Sequence, residues 1–319
     1  MIRKLLPAFL LLFSLAEAIE VVEKAKEEEF PREKRPWFTG PLLAPAAQSV
    51  SLGHFNIEPY VYLLVIPGVY DGSGRAVDIP FLWITSSEVV VQAGLASWLD
   101  FTFTLLGNFK ETQGQHNWSL GDWSAGFDIQ LLFESDWYPG IKLSLEEVFP
   151  TGKYKNLNPN KFRTDAGGLG SYQTWLGVVF GKVFTFTGIH TLASRLYLSY
   201  VIPSSASIQG FSIFGGNANT KGSYQSPQNF FIDLAFEYSL TQNWNLATDI
   251  TWSYSPKSRF RGVRGEGMEI GHSMQATLAP AIEYSWSNNW GVIAGCWFTV
   301  AGRNSTVFQS GVIAFNYYK

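Results

Sequence analysis

The stretch Gly121-Asp-Trp-Ser-Ala-Gly-Phe-Asp-Ile-Gln-Leu-Leu-Phe-Glu134, followed by Ser-Asp-Trp-Tyr-Pro-Gly140 and Ile141-Lys-Leu-Ser-Leu-Glu146, changes character residue by residue. Trp123, Ala125, Phe127, Ile129, Leu131 and Phe133 take the odd positions. Asp122, Ser124, Asp128, Gln130 and Glu134 take the even ones, with Leu132 the exception. A period of two marks a β-strand with one apolar and one polar face. After an Asp/Pro/Gly turn the pattern resumes, with Ile141, Leu143 and Leu145 against Lys142, Ser144 and Glu146. Each run has about the 9–11 residues that a tilted strand needs to cross a bilayer.

The same unit recurs along the chain. Phe55, Ile57, Val61 and Leu63 oppose Asn56, Glu58, Tyr60 and Tyr62; Phe230, Ile232, Leu234 and Phe236 oppose Asp233, Ala235 and Glu237. Further runs start near Glu88, Asp100, Gly170, His190, Asn245, Ser273, Trp290 and Thr306, giving about twelve strands, an even number as in bacterial barrels. Connections alternate in length. Ala96–Leu99, Ser135–Gly140, Phe184–Gly188, Leu240–Asn243 and Ser285–Asn289 are short. Ile66–Ile84, Glu111–Leu120, Phe149–Gly167, Pro203–Gln228 and Pro256–Gly271 read as long loops, and only the last of that set, near Gly302–Asn304, is short. Short periplasmic turns and long outer loops in strict alternation are an outer-membrane pattern, and Trp98, Trp137, Trp244, Trp286 and Trp290 cluster by the short turns, where an interfacial girdle belongs. A soluble sandwich needs neither strands of such uniform length nor this asymmetry. The fold expected is an all-β, transmembrane, antiparallel up-and-down β-barrel over residues 51–319.

Composition agrees. Charged residues make up 15% and aromatics 16%, whereas soluble domains average about 25% charged. The start, Met1-Ile-Arg3-Lys4 followed by an apolar run to Leu15 and Ala16-Glu17-Ala18, reads as a secretory signal peptide over 1–18. Cleavage there removes Arg3, Lys4 and Glu17, which moves the formal charge from −3 to −4 and argues against a nucleic-acid partner. Residues 19–50 open with a mixed charge run, Glu20 to Pro36, expected as a periplasmic extension. Its Lys24, Lys26, Arg32, Lys34 and Arg35 would dock on lumen carboxylates if it plugs the barrel. Trp37 to Pro45 reads as an extended apolar lead-in. The single cysteine, Cys296, forms no internal disulfide and is expected as a small apolar strand residue.

Trp37-Phe-Thr-Gly-Pro-Leu-Leu-Ala-Pro45, Gly53-His-Phe-Asn-Ile-Glu-Pro-Tyr60, and Gly121-Asp with Phe149-Pro-Thr-Gly152 resemble the meta-pathway of phenol degradation family of Gram-negative outer-membrane proteins. The resemblance covers most of the mature chain, but its motifs are strand starts and a loop opening. It implies an outer-membrane channel for hydrophobic or aromatic compounds and carries over no functional residue. The ending Phe315-Asn-Tyr-Tyr-Lys319 departs from the usual barrel terminus by closing on lysine.

Polar strand positions should face the lumen, and they are acidic: Glu58, Glu88, Asp128, Glu134, Glu146, Asp233, Glu237, Asp249 and Glu283 against Lys110, Lys142 and Arg195. Glu58, Tyr60, Tyr62, Asp128, Gln130, Lys142, Ser144, Arg195, Asp233, Glu237 and Asp249 are the lumen-lining candidates. Such a lining either fills a rigid, closed barrel with hydrogen bonds or makes a pore that disfavours anions. Basic outer loops, with Lys153, Lys155, Lys161 and Arg163, then Lys257, Arg259, Arg261 and Arg264, are either solvated or bound to lipopolysaccharide phosphates. Apolar Ile79–Ile84 and Phe211–Phe214 read either as an inward gate or as rim packing.

Catalytic and metal readings find little support. His272 and Ser273 are adjacent on a strand and point to opposite faces. His54, His116 and His190 lack partners at metal-ligand spacing. Glu146-Glu147 reads as a rim bulge or loop start. The functional expectation is passive transport of small, hydrophobic or aromatic solutes, without a cofactor. A non-conducting structural or surface-interaction barrel comes second and a lipid-modifying enzyme third. Expected partners are outer-membrane lipid, lipopolysaccharide and the barrel assembly machinery.

Overall fold

A computed structural model describes residues 36–186 and 189–319. The expected signal peptide and the charged run up to Arg35, with its proposed docking cations, lie outside these residues. Among them, every strand run identified by alternation is present. The elements are β1 (Phe55–Tyr70), β2 (Ala76–Ala96), β3 (Leu99–Thr112), β4 (Gln115–Leu120), β5 (Trp123–Leu132), β6 (Gly140–Phe149), β7 (Gln173–Thr185) and β8 (Thr191–Pro203). They continue with β9 (Ser205–Gln209), β10 (Lys221–Gln225), β11 (Asn229–Ser239), β12 (Trp244–Ser255), β13 (Arg259–Val263), β14 (Ser273–Ser285), β15 (Trp290–Arg303) and β16 (Ser305–Tyr318). Neighbours pair antiparallel all the way round, and β1 pairs with both β2 and β16, which closes the sheet. Since β3 pairs with β5 along one half and with β4 along the other, β4 and β5 form one interrupted strand and the barrel has twelve. Closure leaves no edge within the ring, so its backbone groups are satisfied without water.

The quoted hairpin is β5–β6. Leu132, the residue that broke the alternation, follows a register shift between Gln130 and Leu132, so Leu131 and Leu132 both end up exposed. At its other end, the break at Gly121-Asp122 turns Asp122 into a loop anchor: its carboxylate accepts the Gly152 and Leu169 N–H groups at 2.8 and 2.7 Å.

Two expected loops are corrected. Ile66–Ile84 is mostly strand, because β1 and β2 run on for 16 and 21 residues and turn only at 71–75. Glu111–Leu120 is the tight β3–β4 hairpin. Where the long β1–β2 hairpin passes Pro67 and Pro80, neither of which offers an N–H, the register shifts between Ile66 and Gly68. The apolar Ile79–Ile84 is therefore a strand with Phe81 and Trp83 exposed, not an inward gate. Glu146 and Glu147 pair in regular register with Gly126 and Ala125, so no bulge forms there.

The outward face carries exposed Leu105, Phe127, Leu145, Leu176, Leu234 and Ile313. Exposed apolar area on this scale belongs against lipid. Rings band both ends. At the short-turn end Trp290 packs on Tyr317 (4.2 Å between centroids) and Trp244 on Tyr284 (4.6 Å), with Trp137 88% exposed. At the loop end Phe103, Trp123, Phe149 and Tyr172 form a continuous chain of contacts. Along β12 the bands lie eight to ten residues apart, at Trp244 and at Trp252 and Tyr254, or roughly 20–25 Å along a tilted strand, matching a barrel's apolar belt. Cys296 sits exposed on β15.

Leu234 lies midway along β11 and faces out, so Leu234→Arg should destabilise the barrel by about 2–4 kcal/mol in reversible unfolding from lipid vesicles. Asp136→Arg, in a short turn, should cost far less.

Candidate functional site

The interior does not stand open along its length. Residues 37–52 run through the short-turn half as a strap. The strap begins where the Trp37 N–H donates to Gln242 O in the β11–β12 turn, and the Trp37 carbonyl accepts from Asn245 Nδ2 (2.6 Å). It ends where Leu52 bridges Gly94 at the end of β2. Between these points its peptide N–H groups meet inward-facing carboxylates. Thr39 donates to Glu283 (3.0 Å), Gly40 to Glu237 (3.1 Å) and Val50 to Asp100 (2.8 Å). Asp249 alone accepts three, from Leu42, Leu43 and Ala44 at 3.0–3.3 Å. Ser49 donates to Gln130 Oε1 at 2.7 Å, while Gln130 Nε2 donates to Ala47 O at 3.1 Å.

Local sequence explains the path. Pro36, Pro41 and Pro45 hold an extended backbone and lack the donor that would go unmatched. Gly40 has φ +100°, a conformation costly for any other residue. The wall makes room as well: a Cβ on Gly181 would lie 2.3 Å from the Ala47 Cβ, and one on Gly291 would lie 2.1 Å from Thr39 Cγ2. Leu42, 2% exposed, packs among Ala247, Ala279, Ile293, Val312 and Ala314 from four strands. Asp249 lies five residues into β12, so the strap reaches about 12 Å past the turn.

The lumen-lining candidates fall on the inward face of their strands. Lys142 Nζ lies 3.4 Å from Asp128, and Arg195 lies 2.8 Å from Glu237 while donating to Ala44 O at 3.4 Å. Tyr60 donates to Glu58 at 3.0 Å and stacks on Tyr62, which meets Trp297 edge-on. Gln130 binds the strap, Ser144 pairs in register with Asp128 and Gly177, and Asp233 and Asp249 lie on neighbouring strands. Glu134 stands apart, past the end of β5, where it pairs with Lys182 (3.3 Å) and accepts the Val183 N–H. Asp100 joins the inner carboxylates. The strap's donors are backbone amides, which leave no residue signature; the prolines and Gly40 are the only trace in sequence.

The loop end is raised on one side by an outer extension of the wall. β9, β10 and β13 form a small separate sheet that continues β8, β11 and β12 in the same order, with Ala206, Ile208, Tyr224 and Met268 buried against one another. Phe214 stacks on Tyr224 at 3.9 Å, so Phe211–Phe214 packs on this extension. Loop 150–172 bridges β9 and the β3–β4 hairpin: the Asn156 and Leu157 N–H groups donate to Gln209 and Phe211 O, and Lys110 Nζ donates to Ala166 O (2.7 Å). Burial alone would raise the Asp165 carboxyl, but donation from Lys153 Nζ (2.7 Å) and the Asn158 N–H outweighs it and holds it below the ordinary carboxylate range.

The histidines make ring contacts. His54 stacks on Tyr318, His116 lies against Phe109, His190 stacks on Tyr238 and His272 lies near Tyr254. Among the described residues no group of three or more His, Cys, Asp or Glu is arranged to hold a metal ion.

In a Cys296→Ser background, a cysteine replacing Leu42 should react slowly with a water-soluble thiol reagent. Adding Gly181→Val should speed labelling by forcing Ala47 off the wall. Asp249→Asn, whose NH₂ would confront N–H donors, should weaken docking by about 1–3 kcal/mol by the same readout. The Asp165 contacts stabilise loop 150–172 above the ordinary carboxylate pKa and lose that effect as pH falls through the depressed value. Proteolysis within 150–172 should accelerate only in that acid range.

Comparison with protein-family profiles and with curated proteins finds no match. Among solved structures, an outer membrane channel from Pseudomonas putida F1 superimposes with a TM-score of 0.69 over 87% of this chain and all of that one, at 11% identity. The translocator domain of the autotransporter NalP from Neisseria meningitidis (TM-score 0.43, 12% identity, 82% of this chain and 88% of that one) is a looser match. So is a mutant of the TodX monoaromatic hydrocarbon channel (0.42, 11%, 90% and 96%). At such identity the likeness is one of fold: this chain is a twelve-stranded transmembrane β-barrel of the outer-membrane kind.

Proposed function

We propose that the protein is a gated outer-membrane channel for passive movement of small neutral or cationic solutes, aromatic ones among them, with residues 37–52 as the gate. The observation that carries this reading is the strap itself: a peptide with no charged side chain, held across an acidic lumen by backbone N–H groups. Withdrawing it would bare Asp100, Glu237, Asp249 and Glu283, and with them Tyr60, Tyr62 and Trp297, which pack against the Leu42 cluster. Glu58, Glu88 and Glu146 add further carboxylates to the same wall. Of the inward cations, Lys142 and Arg195 are paired and Lys110 is held by the Ala166 carbonyl; the carboxylates outnumber all three, so the field left over repels anions. Twelve strands enclose less space than the roughly 16–18 of open porins, which suits selective passage. The family resemblance adds hydrophobic or aromatic compounds as the solute class. In this reading lipid surrounds the belt, the assembly machinery inserts the barrel, and lipopolysaccharide phosphates meet exposed Lys221, Arg259 and Arg261 on the outer sheet.

The strap also favours a second reading, a permanently filled structural barrel. Planar-bilayer recording separates the two. The intact chain should conduct little, Gly181→Val or Gly291→Val should conduct more, and the reversal potential in a KCl gradient should favour K⁺. Adding Glu58→Gln and Glu88→Gln should reduce that preference. Silence of the strap-displaced variants would leave the structural reading standing.

A further inference from the structure

One inner carboxylate is not served by the strap. Asp233 on β11 is 0% exposed, and neither of its oxygens meets a hydrogen-bond donor among the described residues. In register it lies directly across from Tyr197 on β8 and Thr251 on β12, and Ser199 is the next inward residue on β8. Its one cationic neighbour among the described residues is shared. Arg195, one step toward the turns, is engaged by Glu237 and the Ala44 carbonyl. Asp249, across from Ala235, adds negative charge while its own oxygens are taken by three strap N–H groups. An ionised carboxylate withdrawn from water without partner or counter-ion is strongly disfavoured, so the position calls for either a proton or a bound cation, and the alkali-salt experiment below separates the two.

We propose that Asp233 anchors a small hard cation, sodium or potassium, inside the barrel, with the unpartnered Ser199 hydroxyl and the Thr251 hydroxyl, which also bonds Thr277, completing its surroundings. Carboxylate and hydroxyl oxygens suit hard cations, whereas imidazole or thiolate would suit transition metals, and neither stands beside Asp233 in the register. A single free carboxylate matches one positive charge. The described residues hold no group of three or more acidic, His or Cys ligands of the sort a divalent centre uses. The site does not depend on whether the barrel conducts, because the ion would be bound rather than in transit.

The test is thermal unfolding of the full chain in detergent, in sodium or potassium chloride against N-methylglucamine chloride at equal ionic strength. The wild type should melt higher in the alkali salts. Asp233→Asn, checked for folding by the mobility of unheated samples in gels, should lose that difference, while Glu58→Gln should keep it. Thr251→Val and Ser199→Ala retain the charge and should need more alkali salt for the same rise, which keeps the proposal testable if Asp233→Asn does not fold. No alkali-specific rise in the wild type would overturn the assignment. An equal rise in Asp233→Asn, or a rise with calcium alone, would do the same.

Discussion

The interior is organised by the demand of buried carboxylates for hydrogen-bond donors. A transmembrane barrel places its polar strand positions inward, and in this chain those positions are rich in Asp and Glu and poor in Lys and Arg. Lys142 and Arg195 attend to Asp128 and Glu237, which leaves Asp100, Asp249 and Glu283 to be satisfied otherwise. The peptide N–H is the donor recruited. It brings partial positive charge without a long side chain, so a narrow lumen accommodates it. The same requirement explains why the strap is proline-punctuated and uncharged: its side chains need only fit, while its backbone binds.

The two ends of the barrel are built on different plans. At the turn end, closure comes from the strap and from glycines that yield space to it. At the loop end the wall is carried outward by the long β1 and β2 on one side and by the β9–β10–β13 sheet on another, and loop 150–172 bridges the lower stretch beside β4–β6. Asp122 ties that loop to the wall by interrupting a strand instead of extending it. A strand break that looks like a defect in the ladder thus positions the outer loop.

Much of the barrel was legible because alternation is enforced twice, by lipid outside and by the packed lumen within. The strand number, the turn-end girdle and the inward set from Glu58 to Asp249 all follow from that single period. The loop-end errors have a common cause. Ile66–Ile84 contains Pro67, Gly68, Gly72, Gly74 and Pro80, which read as loop punctuation, yet the prolines fall at a register shift and the strand continues past them. Leu132 signalled a register shift that alternation alone could not explain. The strap was the least legible part. The charged run before it stands out because charge is a property of particular residues, whereas the groups that bind Asp249 are backbone amides.

Both ends of the strap lie at one mouth of the barrel, Trp37 beside the β11–β12 turn and Leu52 beside the end of β2. The segment therefore enters and leaves on the same side, as a loop dipped into the lumen and not a cord drawn through it. Within residues 37–52 no barrel strand pair has to part for it to come out. The barrier to its exchange between inside and outside is that of breaking the amide–carboxylate bonds and unpacking Leu42 together.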